Sequence, residues 1–152
     1  VFRLERGVTG FCSGKELKLP EVPVRTFRDG CYAAARAAGG AVERVFESAY
    51  PRNFHSAAIV APNDRIAILC NAVYPWIAFA GAGAGDLESK AFVDPPAWAA
   101  AFAEIGFVVM SRQVLGSPLG SVDTAALGKA EWLQIDSWRP ASVGEAVFNF
   151  WD

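Results

Sequence analysis

The chain has 152 residues, 53% of them hydrophobic and 20% charged, with a net charge of −2. A chain of this length buries about two-thirds of its unfolded surface in one core, and the composition excludes disorder. The small negative charge gives no electrostatic ground for a nucleic-acid or membrane partner, so one domain over residues 1–152 is expected.

Residues 2–12 alternate loosely around Gly7 and Gly10, the pattern of an opening strand with a bend. Pro20 and Pro23 make the next stretch extended and peripheral. Asp29 stands where a helix cap would, before the alanine-rich residues 31–38, and Gly39-Gly40 would stop that helix. Residues 42–50 fit either a helical face or a strand; valines after a glycine pair favour strand. Apolar runs at 57–60 and 66–69 flank Ala61-Pro62-Asn63-Asp64-Arg65, a turn sequence, and predict a β-hairpin whose second strand continues toward Asn71. After Pro75, residues 76–80 read as a third strand. Nearly every residue of this central stretch is apolar, so both faces are expected to be covered.

Residues 81–90 read as a flexible loop. Asp94-Pro95-Pro96 reads as a helix start, with Trp98, Phe102 and Ile105 as the apolar stripe and Gly106 as the stop. Residues 107–110 suggest a strand and 115–124 a loop. A helix is expected from about 125 to 138, ended by Pro140. Ser142 and Glu145 form a capping box for a last helix, whose Val143, Val147, Phe148 and Trp151 would cover one side of the sheet. The five tryptophans fall mostly on apolar stripes and are expected in the core, a minority serving as contact anchors. The predicted architecture is α+β: one domain, a mostly antiparallel sheet with helices packed on it.

Residue types that carry chemistry are sparse. His55 is the only histidine, and no Ser, Cys or carboxylate at a fixed spacing completes an acid–base or nucleophilic set around it. Gly81-Ala82-Gly83-Ala84-Gly85 follows a strand, but the third glycine of a dinucleotide loop is replaced by Asp86, whose charge would repel a pyrophosphate. Cys12, Cys31 and Cys70 are far apart without a CxxC pair, which suggests neither zinc nor a redox couple, and unpaired thiols suit a reducing compartment. No cofactor or metal site is expected. No apolar run reaches the roughly 20 residues of a membrane span, and the opening residues lack the pattern of a signal peptide, so a cytoplasmic location is expected. Charge is uneven: residues 1–85 hold ten Lys/Arg and seven Asp/Glu, residues 86–152 four and nine. The acidic half would complement a basic partner if its charges share a face, and otherwise forms a solvated surface. Asp86, Glu88, Asp94 and Asp123 are the candidate partner-binding residues.

The C-terminal residues, from Glu131-Trp132 through Trp138-Arg139-Pro140 and Val143-Gly144-Glu145 to Phe148-Asn149-Phe150-Trp151-Asp152, resemble the ending of a group of small bacterial proteins. Phe54-His55-Ser56-Ala57 and Phe92-Val93-Asp94-Pro95-Pro96 look like the same group. These proteins are similar to the immunity proteins (antitoxins) that accompany polymorphic or secreted toxins; one such system is a mycobacterial NAD-hydrolysing toxin with its small cytosolic antitoxin. The resemblance implies a non-catalytic inhibitor of a cognate toxin domain. The alternative is a small-molecule-binding domain or an enzyme using His55, which would show a concave pocket with converging polar groups near that residue.

Overall fold

Four strands laid side by side form the centre of the molecule: β1 (Ala41–Phe46), β2 (Phe54–Ala61), β3 (Asp64–Asn71) and β4 (Trp76–Gly81). The computed structural model describes residues 1–13, 18–83 and 91–152. Pro62 and Asn63 turn the chain between β2 and β3, which pair antiparallel from Phe54 with Asn71 to Ala61 with Asp64. β1 and β4 join the outer edges of this hairpin, also antiparallel, with a register shift in β1 between Val42 and Val45. Two short strands extend the sheet along β4: β5 (Phe92–Val93) antiparallel, and β6 (Val108–Val109) parallel. The result is a six-stranded, mostly antiparallel sheet in a single α+β unit, as expected.

Strand side chains alternate between two faces. Ala57, Ile59, Ile66, Ile68, Ile77 and Phe79 meet helix α1 (Val24–Ala38) and the Phe102 region. Ala67, Leu69, Trp76, Ala78 and Ala80 meet the opening residues and the C-terminal third of the chain. Both faces are therefore covered.

α1 buries Phe27, Cys31, Ala34 and Ala35 and ends at Gly39, which takes the left-handed conformation (φ 68°) that glycine adopts without strain. It begins earlier than the sequence suggests. Pro23 is its N-cap residue and Asp29 lies within it, because a proline at the entry already holds a helix-compatible φ. Gly30 lets the helix touch α2 (Ala100–Ala103), since a Cβ there would lie 2.9 Å from the Phe102 ring.

The opposite layer is built from short pieces. Residues 2–12 form no strand; Arg3 makes one bridge to Asp123, and Gly7 (φ 87°) and Gly10 (φ 88°) turn the backbone. A short helix the sequence did not suggest, α3 (Arg112–Leu115), is capped by Ser111 Oγ, and the expected loop at 115–124 holds its last residue and a 3-10 turn at Leu119–Ser121. α4 (Lys129–Trp138) starts later than expected. α5 (Val143–Val147) is capped by Ser142 Oγ as the sequence predicts, while Glu145 bonds the Ala141 N–H. Val143, Val147, Phe148 and Trp151 are buried. Asp94 is not the cap of the expected helix: extended Pro96 is the N-cap residue of a 3-10 turn at Ala97–Ala99, and no side chain among the described residues caps that turn. Of the tryptophans, Trp76 and Trp151 are core, Trp98 is half-buried, and Trp132 and Trp138 are exposed. Among the described residues no helix is long and apolar enough to cross a membrane.

This second layer is tied by polar side chains. Asn71 donates to the Val8 and Val147 carbonyls, both at 2.8 Å, and accepts from the Val73 and Tyr74 amides. Asn53 bonds the same two carbonyls, and Asn149 bonds the Thr9 and Ala146 carbonyls. Fully buried Glu131 accepts from the Gly7, Thr9 and Gly128 amides and from the Thr9 hydroxyl at 2.6 Å. Backbone groups that short segments cannot satisfy among themselves are satisfied here.

Candidate functional site

The chain leaves β1 at Phe46 and re-enters the sheet at Phe54, and the connecting residues 47–53 stand away from the sheet. The incoming residues 18–23 run opposite them before α1, held by the Val22 N–H on the Ala72 carbonyl at 2.8 Å. Between these two walls lies a cleft of about 710 Å³, floored by His55, Ala72 and Val73 and closed on a third side by Thr9–Cys12 and Trp151. Its volume falls in the range of small-molecule sites.

His55 braces this cleft. The ring is 3% exposed, and its Nδ1 accepts the Ser48 N–H at 2.9 Å. Nε2 therefore carries the proton and donates to the Val22 carbonyl at 2.7 Å. The ring also stacks on Phe27, with centroids 6.0 Å apart. One side chain thus joins the two walls and α1, with neither nitrogen left for a substrate.

Arg52 occupies the wall opposite α1. Its Nη2 donates to the Glu47 carbonyl at 2.7 Å, and its guanidinium lies 5.5 Å from the Phe54 ring centroid and 6.0 Å from that of Phe46. Its Nε is buried without an acceptor, and burial pulls the guanidinium pKa below its ordinary value. Cys12 is exposed at the cleft edge, whereas burial pushes the Cys31 thiol up to about 12 and Cys70 well above its ordinary value. Among the described residues no group of three or more His, Cys, Asp or Glu is placed to hold a metal ion.

The acidic residues singled out from sequence lie elsewhere. Asp86 and Glu88 fall outside the described residues. Asp94 is exposed between β5 and the 3-10 turn. Asp123 is half-buried; its Oδ1 accepts the Ala125 N–H at 2.9 Å, and its backbone pairs with Phe2 and Leu4. No hydrogen bond or ion pair among the described residues joins Asp94 to Asp123.

A second exposed feature lies on α4. Trp132 is 38% exposed, Leu133 64% and Trp138 45%. Asp136, one turn after Trp132, shares that outer face. Trp138 also stacks nearly parallel on Trp151, which links this helix to the cleft.

The alternative reading looked for a pocket near His55, and a cleft does lie there; sequence reasoning missed Arg52 and the cleft's other walls because they come from residues far apart in the chain. The available signal was Tyr50-Pro51-Arg52, an aromatic and a cation between two strands. No family model, curated protein or solved structure matches the chain.

Proposed function

We propose that the chain is a non-catalytic immunity protein that binds and inhibits a cognate bacterial toxin domain in the cytosol, an NAD-hydrolysing toxin being the system its C-terminal resemblance suggests. The observation that carries this reading is the outer face of α4, where Trp132 and Leu133 stand in solvent beside Asp136. Large apolar side chains in such a setting mark contact surfaces, and tryptophan is enriched among the residues that dominate binding energy. The commitment of both His55 nitrogens to backbone groups supports a binding role over acid–base work.

The test is co-expression with the C-terminal domain encoded by the adjacent upstream gene, scoring growth and co-purification. Rescue of a toxic domain together with a stable complex is expected, and the double change Trp132→Ala, Leu133→Ala should weaken that complex without unfolding the protein. A harmless neighbour that never co-purifies would overturn the reading.

The cleft favours a second reading, a small-molecule-binding domain. Its size and its mixture of aromatic and polar walls suit a ligand, though His55 is held in a way that leaves it a brace rather than a base.

A further inference from the structure

Arg52 is a cation held in place through one of its five N–H donors, the other four being unused among the described residues. Glu47 and the rings of Phe46 and Phe54 fix the guanidinium, yet the buried Nε–H meets no acceptor. Among the described residues no carboxylate forms an ion pair with it; Glu21 and Glu47, on the rim, are both exposed. Folded proteins rarely leave a buried donor unmatched, least of all on a charged group. A planar guanidinium held against two rings, with Nη donors still unused, is suited to a carboxylate or phosphate, which accepts two parallel N–H bonds.

The surroundings specify the rest of the ligand. The cleft holds about 710 Å³, ample for a ring system bearing an acidic group. Tyr50, 78% exposed, presents an uncommitted aromatic ring in the same wall, and Phe11 and Trp151 line the far side. Val24, the first residue of α1, also lines the cleft, and no side chain caps that helix end, which adds to the preference for negative charge.

We infer that the cleft binds a small aromatic anion, its carboxylate or phosphate on Arg52 and its ring against Tyr50. This rests on the small-molecule reading of the cleft and is independent of any toxin partner.

The test follows the Arg52 Nε–Hε cross-peak and the backbone amides of 15N-labelled protein. The probes are adenosine monophosphate, 2-naphthoate, and adenosine as the uncharged control. The phosphate or the carboxylate probe should shift the Arg52 cross-peak to saturation, and whichever does so identifies the acidic group. Adenosine should bind about tenfold more weakly or worse. Arg52→Gln should erase the preference for the charged probe, and Arg52→Lys should restore part of it. Should Arg52→Gln fail to fold, the wild-type cross-peak alone decides. If adenosine binds as tightly as its monophosphate and leaves Nε unmoved, the cleft is a ligand site but the assignment to Arg52 is wrong. If no probe shifts any cleft resonance up to about 10 mM, both the inference and the small-molecule reading fall.

Discussion

The two faces of the sheet are held by different physics. On one side a fifteen-residue helix satisfies its own backbone and contributes an apolar stripe, so that layer is almost wholly hydrophobic contact. On the other side the covering pieces are too short to satisfy their own amides and carbonyls. Three asparagines and Glu131 supply the missing bonds, with apolar residues packed between them. Irregular backbone is thus buried as securely as helix, at the cost of requiring particular polar side chains at particular positions.

The largest expected effects test whether both layers are true cores. Phe27→Ala in the helix layer and Phe148→Ala in the irregular layer should each lower stability by about 3–5 kcal/mol, since both rings are fully buried. Urea unfolding would check this, and a small loss at Phe148 alone would demote the irregular layer to a surface covering. Next comes Glu131→Gln, which keeps shape but puts an amide donor among four protein donors. About 3 kcal/mol of destabilisation is expected, with hydrogen exchange rising first at Gly7 and Thr9. The helix layer should instead be sensitive to volume. Gly30→Ala forces the Phe102 ring to shift within a filled core, for a loss of about 1–3 kcal/mol in thermal or urea unfolding.

The smallest effect belongs to the exposed Arg65–Glu43 pair at the open edge of the sheet. The hydrogen bond from Arg65 holds the Glu43 carboxyl below the usual carboxylate range. A carboxyl whose folded pKa is depressed stabilises the fold above its unfolded pKa and loses that contribution as pH falls through the folded value. Glu43→Gln should therefore differ slightly from wild type at neutral pH, and the difference should vanish in acid below that range. Added salt should shrink it too. A gap that persists in acid would assign the effect to packing rather than charge.

The same contrast explains what could be read in the sequence. The hairpin was legible because Pro62-Asn63 separates two β-branched runs, and the body and stop of α1 because alanines precede Gly39. Residues 2–12 were misread because their loose alternation imitates a strand, while their true conformation is set by Glu131, more than a hundred residues away. Periodicity reports which face a side chain takes; it carries no information about a distant carboxylate. A pocket near His55 was the alternative reading, but the walls of the cleft were illegible for the same reason. His55 could be marked as lacking catalytic partners, but nothing local shows that its ring nitrogens would bond Ser48 and Val22.

The asparagine ties have a consequence for synthesis on the ribosome. Asn53 and Asn71 follow the Val8 carbonyl they will bind by 45 and 63 residues, but their other acceptor, the Val147 carbonyl, comes 94 and 76 residues later. A nascent chain that has reached α4 can assemble the sheet and the α1 side, yet its second face stays open until residues 146–149 leave the exit tunnel. Apolar strand surface is bare until then. Chaperone binding to chains stalled before residues 146–149 clear the exit tunnel should accordingly concentrate on the Leu69, Ala78 and Ala80 face, and emergence of those residues should switch it off.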